Sequence, residues 1–103
     1  MIVYNVTCSL EAAISKDWLK WMCEIHIPEV MATGCFKDFK ILKVLSNVPD
    51  DTGVNFAIQY HANTMEAYEK YKNEFAPILQ EKTKAKYGDS VLAFRTLLEE
   101  VNG

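Results

Sequence analysis

The sequence WLKWMCEIHIPEVMATGCF, from Trp18 to Phe36, decides the fold of this 103-residue chain. Its first part is predicted as a helix, because its large apolar residues recur at helical spacing. Pro28 lies inside this pattern and predicts a kink in the helix, or a new turn that starts after Ile27. Gly34 is suited to the left-handed conformation that ends a helix, and a strand is predicted to follow it. His26 lies in the middle of this stretch, and no other segment places an ionisable group so close to so much aromatic surface.

Four other parts of the pattern predict β-strands. Apolar and polar residues alternate in the first and third of them, which is the period of a strand with two different faces. The last one is apolar on both faces. A Pro, Asp and Gly-rich turn is predicted between the second and third strands. The predicted strands are Ile2–Cys8, Phe36–Leu45, Val54–His61 and Val91–Glu99, and the turn is Asn47–Gly53.

Two helical regions separate these strands. Ser15 is the predicted N-cap of the first region, which is expected to run to Ala32. Asn63 is the predicted N-cap of the second region. Pro77 is expected to divide that region into two helices, and Gly88 to end it.

The resulting element order is β-α-β-β-α-β over a single domain, residues 1–103. This order predicts an α+β ferredoxin-like sandwich with an antiparallel sheet in strand order 4-1-3-2. Helices can cover only one face of such a sheet. The apolar faces of the two central strands are expected to be covered, namely Ile2, Tyr4, Val6, Val54, Phe56, Ile58 and Tyr60.

The opposite face of the sheet is predicted to be polar at its centre and apolar at its edges. Such a face suits neither water nor a dry core, but a second sheet packed on it would bury the edges and enclose a cavity. Another copy of the chain is the simplest donor of that sheet, so we expect a homodimer closed as a barrel. The residues assigned to this face are Val3, Asn5, Thr7, Leu42, Val44, Ala57, Gln59 and, on one parity of the last strand, Ala93 and Arg95.

Composition limits the partners and the compartment. The net charge is −3 and the lysines are interleaved with glutamates, which argues against nucleic acid or a membrane surface as partner. No segment approaches the roughly 18 to 20 apolar residues needed to span a bilayer. The cysteines Cys8, Cys23 and Cys35 are odd in number and far apart, which is typical of reduced thiols in a cytoplasmic protein.

The segment HIPEVMATGCF, together with the length and the element order, resembles the dimeric α+β barrel superfamily. EthD-like chains and antibiotic-biosynthesis monooxygenase-like domains are the nearest comparisons in it. EthD-like chains carry His-x-Pro near the end of the first helix and then a glycine, which His26, Pro28 and Gly34 match. The resemblance implies the barrel fold and leaves the chemistry open, because the superfamily includes cofactor-free oxygenases, heme-degrading enzymes, isomerases and dehalogenases.

A wider pattern covers essentially the whole chain. It consists of Trp18-x-x-Trp21-Met22, then HIPEVM from His26, and AFRTLL from Ala93 to Leu98. This pattern is similar to a family of short bacterial proteins classed only as a domain of unknown function. The resemblance therefore supports the fold and assigns no activity.

His26 is the candidate for acid–base chemistry, since small changes in its surroundings move its pKa across neutrality. Glu29 lies three residues later and could orient it or pair with its charge. The alternative is a structural histidine that is hydrogen-bonded at the end of the helix. His61 could be added to form a metal site, but the spacing matches no metal motif. We therefore predict no metal, and the chain shows no cofactor-binding motif.

The other candidate residues are ligand-binding groups. Trp18 and Trp21 could form an aromatic wall for a flat ligand, although core packing or a dimer contact also explains them. Arg95 needs either a carboxylate from the other subunit or an anionic or carbonyl ligand if it is buried. Asn5 and Gln59 are expected to be neutral hydrogen-bonding groups on the floor of the barrel cavity.

Three functions remain open from these residues. In the first, the cavity of the dimeric barrel binds a small apolar or aromatic molecule. In the second, the chain is a cofactor-independent enzyme of monooxygenase, isomerase or EthD type, with His26 as acid or base and Arg95 stabilising negative charge. Asn5, Gln59 and Trp18 would then position the substrate. In the third, the chain is a non-catalytic assembly module.

Overall fold

The computed structural model describes residues 1–46 and 53–102. Its four strands form one antiparallel sheet in the order β2-β3-β1-β4, which confirms the predicted order. Except for its last residue, the predicted turn Asn47–Gly53 lies outside the described residues. The strands are β1 (Ile2–Glu11), β2 (Asp38–Lys43), β3 (Gly53–Ala62) and β4 (Val91–Glu99).

Two helical regions lie on one face of this sheet, and each consists of two α-helices joined by a π-helical turn. A 3-10 turn, Gly88–Ser90, links the second region to β4. No helix in the described part of the chain is long and apolar enough to cross a bilayer. The first region is α1 (Ala12–Trp21), a π turn (Met22–His26) and α2 (Ile27–Ala32), and the second is α3 (Met65–Lys70), a π turn (Tyr71–Phe75) and α4 (Ala76–Tyr87).

Pro28 and Pro77 explain the two π turns. The backbone N–H of Ile27, directly before Pro28, donates to the carbonyl of Met22, five residues back. Proline has no N–H and its ring collides with the carbonyl four residues earlier, so the wider turn relieves that collision. The second region repeats the arrangement directly ahead of Pro77. The sequence predicted a kink or a new turn after Ile27, and in the structure the π turn ends at His26 and α2 begins one residue earlier than predicted, at Ile27.

Both predicted N-caps are wrong. Helix α1 follows β1 without a break and begins at Ala12, so Ser15 lies inside it and donates to the Ala12 carbonyl at 2.8 Å. In the second region Thr64 is the N-cap, and its hydroxyl accepts from the backbone N–H of Ala67 at 3.1 Å. Asn63 precedes it. The predicted left-handed end at Gly34 is confirmed by its φ of 76°, and Gly88 follows the last residue of α4, as predicted, with a positive φ of 56°.

The helix-covered face of the sheet carries the core, as predicted. Residues directly opposite each other in neighbouring strands share a face, so Tyr4 and Tyr60 lie together, as do Cys8 and Phe56. The rings of Tyr4 and Tyr60 stack with centroids 6.0 Å apart. Trp18 is fully buried and its ring lies 5.4 Å from that of Phe56.

The register of β4 corrects the prediction for Arg95 and Ala93. Arg95 lies opposite Val6 and Ala93 lies opposite Cys8, so both face the helices and not the open face of the sheet. Strand β4 is apolar at both parities, so alternation alone could not assign its faces. The residues that take their place on the open face are Leu92, Phe94, Thr96 and Leu98.

Candidate functional site

A cavity of about 60 Å³ lies between the helices and the covered face of the sheet, and we call it the inner cavity. Strands β1, β3 and β4 line it from the sheet, while α1, α4 and both π turns line it from the helical layer. Its polar or aromatic lining includes Tyr4, Cys8, Trp18, His26, Tyr60 and Arg95. The cavity therefore brings together three of the predicted site residues, His26, Arg95 and Trp18.

Arg95 lies at the solvent side of the inner cavity. Its side chain is exposed, and its Nε donates to the hydroxyl of Tyr4 at 3.2 Å. Partial solvation removes the need for a buried carboxylate partner, which was the structural explanation expected for this residue. Burial raises the pKa of Tyr4, and the nearby Arg95 charge opposes part of that rise. The Tyr4 hydroxyl is therefore neutral at pH 7 and accepts from Arg95.

A hydrogen bond orients the His26 ring. His26 Nδ1 lies 3.3 Å from the hydroxyl of Thr83, which itself donates to the Leu79 carbonyl at 3.2 Å. Because a hydroxyl has one proton to donate, this network assigns the ring proton to Nδ1. Nε2 then carries the lone pair. Thr83, and not the predicted Glu29, is the group hydrogen-bonded to the ring.

His26 is held in its neutral form. Burial lowers its pKa from 6.5, and the Arg95 charge also lowers it, while Glu29 opposes both. Glu29 itself accepts from Lys82 Nζ at 2.7 Å. The Trp21 ring stacks on the imidazole with centroids 5.3 Å apart and covers it. At neutral pH the ring can therefore accept a proton but has no extra one to give.

Two of the residues that line the inner cavity each have a buried polar atom with no hydrogen-bond partner among the described residues. These atoms are Nε1 of Trp18, whose side chain is 0% exposed, and the hydroxyl oxygen of Tyr60, which is 2% exposed. Leaving such a group unpaired costs about 1–3 kcal/mol. The strand pattern showed Tyr60 only as a core residue. The available signal was the choice of tyrosine over phenylalanine at a buried position, since a buried hydroxyl needs a partner.

The remaining predicted site residues lie elsewhere. Asn5 and Gln59 are opposite each other on β1 and β3, on the open face of the sheet. Trp21 packs on His26 and against the edge of Tyr87, and it is not part of the cavity lining. One cavity thus cannot hold all six predicted residues, because the sheet separates Asn5 and Gln59 from the others.

The open face has its own concave feature, which we call the edge groove. Its volume is about 480 Å³, and it lies where the ends of β1, β3 and β4 meet the start of α1. Its lining mixes polar and apolar side chains, among them Thr7, Ser9, Ile14, Asn55, Leu92 and Phe94. The large apolar side chains of the open face are markedly exposed: Leu42 45%, Leu92 57%, Phe94 62% and Leu98 43%.

The histidines and cysteines form no further site in the described parts of the chain. His61 lies on the open face and is paired with Asp38, so it is not brought to His26. No group of three or more potential metal ligands occurs among the described residues. The three cysteines are free, and burial raises the pKa of Cys8 to about 11, which leaves it a poor nucleophile at neutral pH.

Several solved structures share this fold at low sequence identity. An ethyl tert-butyl ether D (EthD) family protein from Bacillus halodurans has a TM-score of 0.72 and 11% identity, with 98% of this chain and 100% of that chain covered. A dimeric ferredoxin-like protein from an uncultured marine organism has a TM-score of 0.69 and 15% identity, with coverage of 100% and 97%. A candidate antibiotic biosynthesis monooxygenase from Deinococcus radiodurans has a TM-score of 0.63 and 14% identity, with coverage of 100% and 95%.

These similarities confirm the ferredoxin-like α+β fold and the resemblance to EthD-like and monooxygenase-like proteins. No curated protein matches the chain. A family model, in contrast, matches it over residues 1–101, from the first strand to beyond the last one. The chain therefore belongs to the family described as Domain of unknown function (DUF4286).

Proposed function

We propose that this protein is a single-domain homodimer that pairs two copies of its sheet through their open faces, and that the resulting barrel binds a small apolar or aromatic molecule. The observation that carries this proposal is the exposure of the apolar side chains on β4. Leu92 and Phe94 are 57% and 62% exposed in the isolated chain. Burying apolar surface contributes about 25 cal/mol per Å², so this face gains from being covered.

The polar centre of the open face fits a barrel better than a dry interface. Asn5 is buried there and donates from Nδ2 to the Thr7 hydroxyl at 3.0 Å, with Gln59 opposite on β3. Such groups can hydrogen-bond a ligand or water inside a chamber. A solved protein with the same fold is described as a dimeric ferredoxin-like protein, which supports dimerisation of this chain.

The edge groove supports the choice of ligand. Its volume of about 480 Å³ is within the range of about 300–1,000 Å³ of small-molecule sites. Leu92 and Phe94 offer an apolar surface, while Thr7 and Asn55 offer hydrogen bonds. A second sheet over the open face would enclose this groove from above.

Sedimentation of the wild type and of Phe94→Glu tests the dimer. We expect a dimer at micromolar concentration for the wild type, and a dissociation constant raised at least about tenfold by the charge in Phe94→Glu. Ile78→Glu is the matched control, because Ile78 is also 62% exposed but lies on α4, in the helical layer. A wild-type monomer, or equal effects of the two variants, would contradict the proposed interface.

Native mass spectrometry of the protein purified from its host tests the ligand. We expect an additional mass that is released on denaturation and is absent from the Phe94→Glu monomer. Titration with indole as an aromatic probe should give saturable binding to the wild-type dimer only. A dimer that carries no extra mass and does not bind indole would support the assembly-module hypothesis instead.

A second candidate function, acid–base catalysis, is favoured by one observation at the inner cavity. Neutral His26, anchored through Nδ1 to Thr83, lines the same cavity as the Arg95 cation. A general base must be reachable by its substrate. Diethyl pyrocarbonate should therefore modify His26 Nε2 at neutral pH, with His61, paired with Asp38, as the internal comparison. A His26 that remains unmodified in the folded protein would argue against this function.

A further inference from the structure

We propose that the inner cavity is a carboxylate-binding site: a small organic acid enters at Arg95, and its carboxylate accepts hydrogen bonds from Trp18 and Tyr60. This site lies on the opposite side of the sheet from the proposed dimer interface. It depends neither on dimerisation nor on catalysis by His26, so sedimentation and carboxylate binding can fail separately.

The unpartnered atoms specify the chemistry of the ligand. An indole N–H can donate but cannot accept a hydrogen bond, so only an acceptor satisfies Trp18. Burial raises the pKa of Tyr60, which keeps its hydroxyl protonated and able to donate as well. Both donors belong to residues that line one cavity and have no partner among the described residues, so an acceptor with more than one lone pair can satisfy both. The two oxygens of a carboxylate meet that requirement.

The charge of the lining favours an anion over a neutral acceptor. Among the described residues that line the inner cavity, Arg95 carries a permanent positive charge and none is an aspartate or glutamate. Burial raises the pKa of Cys8 to about 11, so its thiol does not supply a negative charge at neutral pH. The Nε of Arg95 donates to Tyr4, and its two terminal NH₂ groups make no hydrogen bond to the described residues, so they can meet a carboxylate in fork geometry.

Size and access limit the ligand to a small acid or to the carboxylate end of a longer one. A volume of about 60 Å³ has room for a group of a few non-hydrogen atoms. A second pocket of about 120 Å³ shares Tyr4, Tyr71, Gln80 and Arg95 with the inner cavity and adds Lys72 to its lining. A longer acid could keep its carboxylate in the inner cavity and its body in this outer pocket, with a second cation at the entrance.

Nuclear magnetic resonance of the two indole N–H groups provides the readout. The chain has two tryptophans, and Trp21→Phe assigns their signals. Titration with sodium acetate should shift the Trp18 signal saturably, while Trp21, outside the cavity lining, should stay in place. Four non-hydrogen atoms cannot bind more tightly than roughly 40 µM, so we expect a dissociation constant near the millimolar range. Sodium chloride and neutral acetamide are the matched controls, and neither should saturate the shift.

Two variants separate the charge from the hydroxyl. Arg95→Gln should weaken acetate binding by at least about tenfold, because the charge-assisted interaction is lost. Lys86→Gln removes a cation that lies over the Tyr87 ring instead, and it should leave acetate binding unchanged. Tyr60→Phe keeps the ring and should weaken binding about tenfold through loss of one donor. Arg95 is exposed, so its replacement leaves the core intact, and circular dichroism checks this.

Sodium benzoate distinguishes the two sources of the carboxylate. Tighter binding of benzoate than of acetate would identify a longer acid whose body occupies the outer pocket, and Lys72→Gln should then weaken benzoate more than acetate. Tighter binding of acetate would identify a small acid held within the inner cavity alone. The proposal is overturned if neither acid shifts Trp18 saturably, if acetamide is as effective as acetate, or if Arg95→Gln binds acetate as the wild type does. In those cases water is the partner of the buried donors.

Discussion

Replacing Tyr60 with phenylalanine tests the central structural observation, a buried hydroxyl with no partner. The side chain is 2% exposed and its oxygen has no hydrogen-bond partner among the described residues. The ring packs between Tyr4, at 6.0 Å, and Phe36, at 5.3 Å between centroids. Phenylalanine preserves both ring contacts. Tyr60→Phe therefore removes one oxygen and nothing else.

The expected effect is an increase in stability. Replacing tyrosine with phenylalanine normally lowers stability because a hydrogen bond is lost, but the Tyr60 hydroxyl makes none with the described residues. Burying an unpaired polar group costs about 1–3 kcal/mol, so its removal stabilises the fold. The small void left by the missing oxygen destabilises the fold and cancels part of that gain. We expect a net gain of about 1 kcal/mol in the free energy of unfolding. For a domain of this size, 1 kcal/mol raises Tm by about 4–8 °C.

Thermal and urea unfolding in chloride buffer without carboxylates would measure this gain. Tyr87→Phe is the matched control, because the Tyr87 hydroxyl donates to Asp17 Oδ2 at 2.8 Å near the surface. Loss of that bond should lower the free energy of unfolding by about 0.5–1 kcal/mol. The same chemical change is thus expected to raise the free energy of unfolding at Tyr60 and to lower it at Tyr87.

The reasoning is refuted if Tyr60→Phe lowers Tm as Tyr87→Phe does. That result would mean that the Tyr60 hydroxyl has a partner in the folded protein even without a carboxylate. Added acetate gives a second check, since a ligand that binds only the folded state raises its stability. Acetate should stabilise the wild type more than Tyr60→Phe, which narrows the gap between their Tm values.

Three further comparisons of variants test the local structure and the titration of His26. Burial lowers the pKa of His26 from 6.5, so the unfolded state binds more protons than the folded state as the pH falls below that value. Urea unfolding below pH 6.5 should therefore show the wild type losing more stability than His26→Gln. Equal losses of stability in the two proteins would contradict this titration. Gly88→Ala should lower Tm more than Gly34→Ala, because Gly88 (φ 56°, ψ −129°) lies outside the left-handed region that alanine can adopt at a cost of about 1–2 kcal/mol. In thermal unfolding, Thr64→Ala should lower the free energy of unfolding by about 1 kcal/mol, and Asn63→Ala should leave it almost unchanged. A larger loss for Asn63→Ala than for Thr64→Ala would show that Asn63 is the N-cap.

The fold could be predicted from the sequence because several independent signals agree. Strand alternation, the two prolines and the two helix-ending glycines all indicate the same element order, and the bounds predicted for β4 are those of the structure. Helix starts were harder to predict. Strand β1 pairs with β3 on one side and β4 on the other and continues to Glu11, so the chain enters α1 well before Ser15. Pairing between strands, which no local pattern shows, decides that boundary.

The candidate site could be predicted only in part. His26 and Trp18 were identified from their helix, and the structure places them at one cavity. The roles of Thr83 and Tyr60 were missed, since one contacts His26 from 57 residues away and the other depends on an unpaired oxygen. Such contacts are properties of packing between distant segments. Periodicity within a segment carries no information about them.

The register of β4 decides which function each of its residues can serve. Phe94 and Arg95 are neighbours in sequence, yet Phe94 lies opposite Thr7 on the open face and Arg95 lies opposite Val6 on the helix side. A shift of the pairing by one residue would exchange them, placing a cation on the proposed interface and an aromatic ring at the inner cavity. If substitution of Phe94 weakens self-association and substitution of Arg95 weakens carboxylate binding, both results would follow from this one register of β4. The opposite assignment would require a different pairing of β4 with β1, whatever the function of either face.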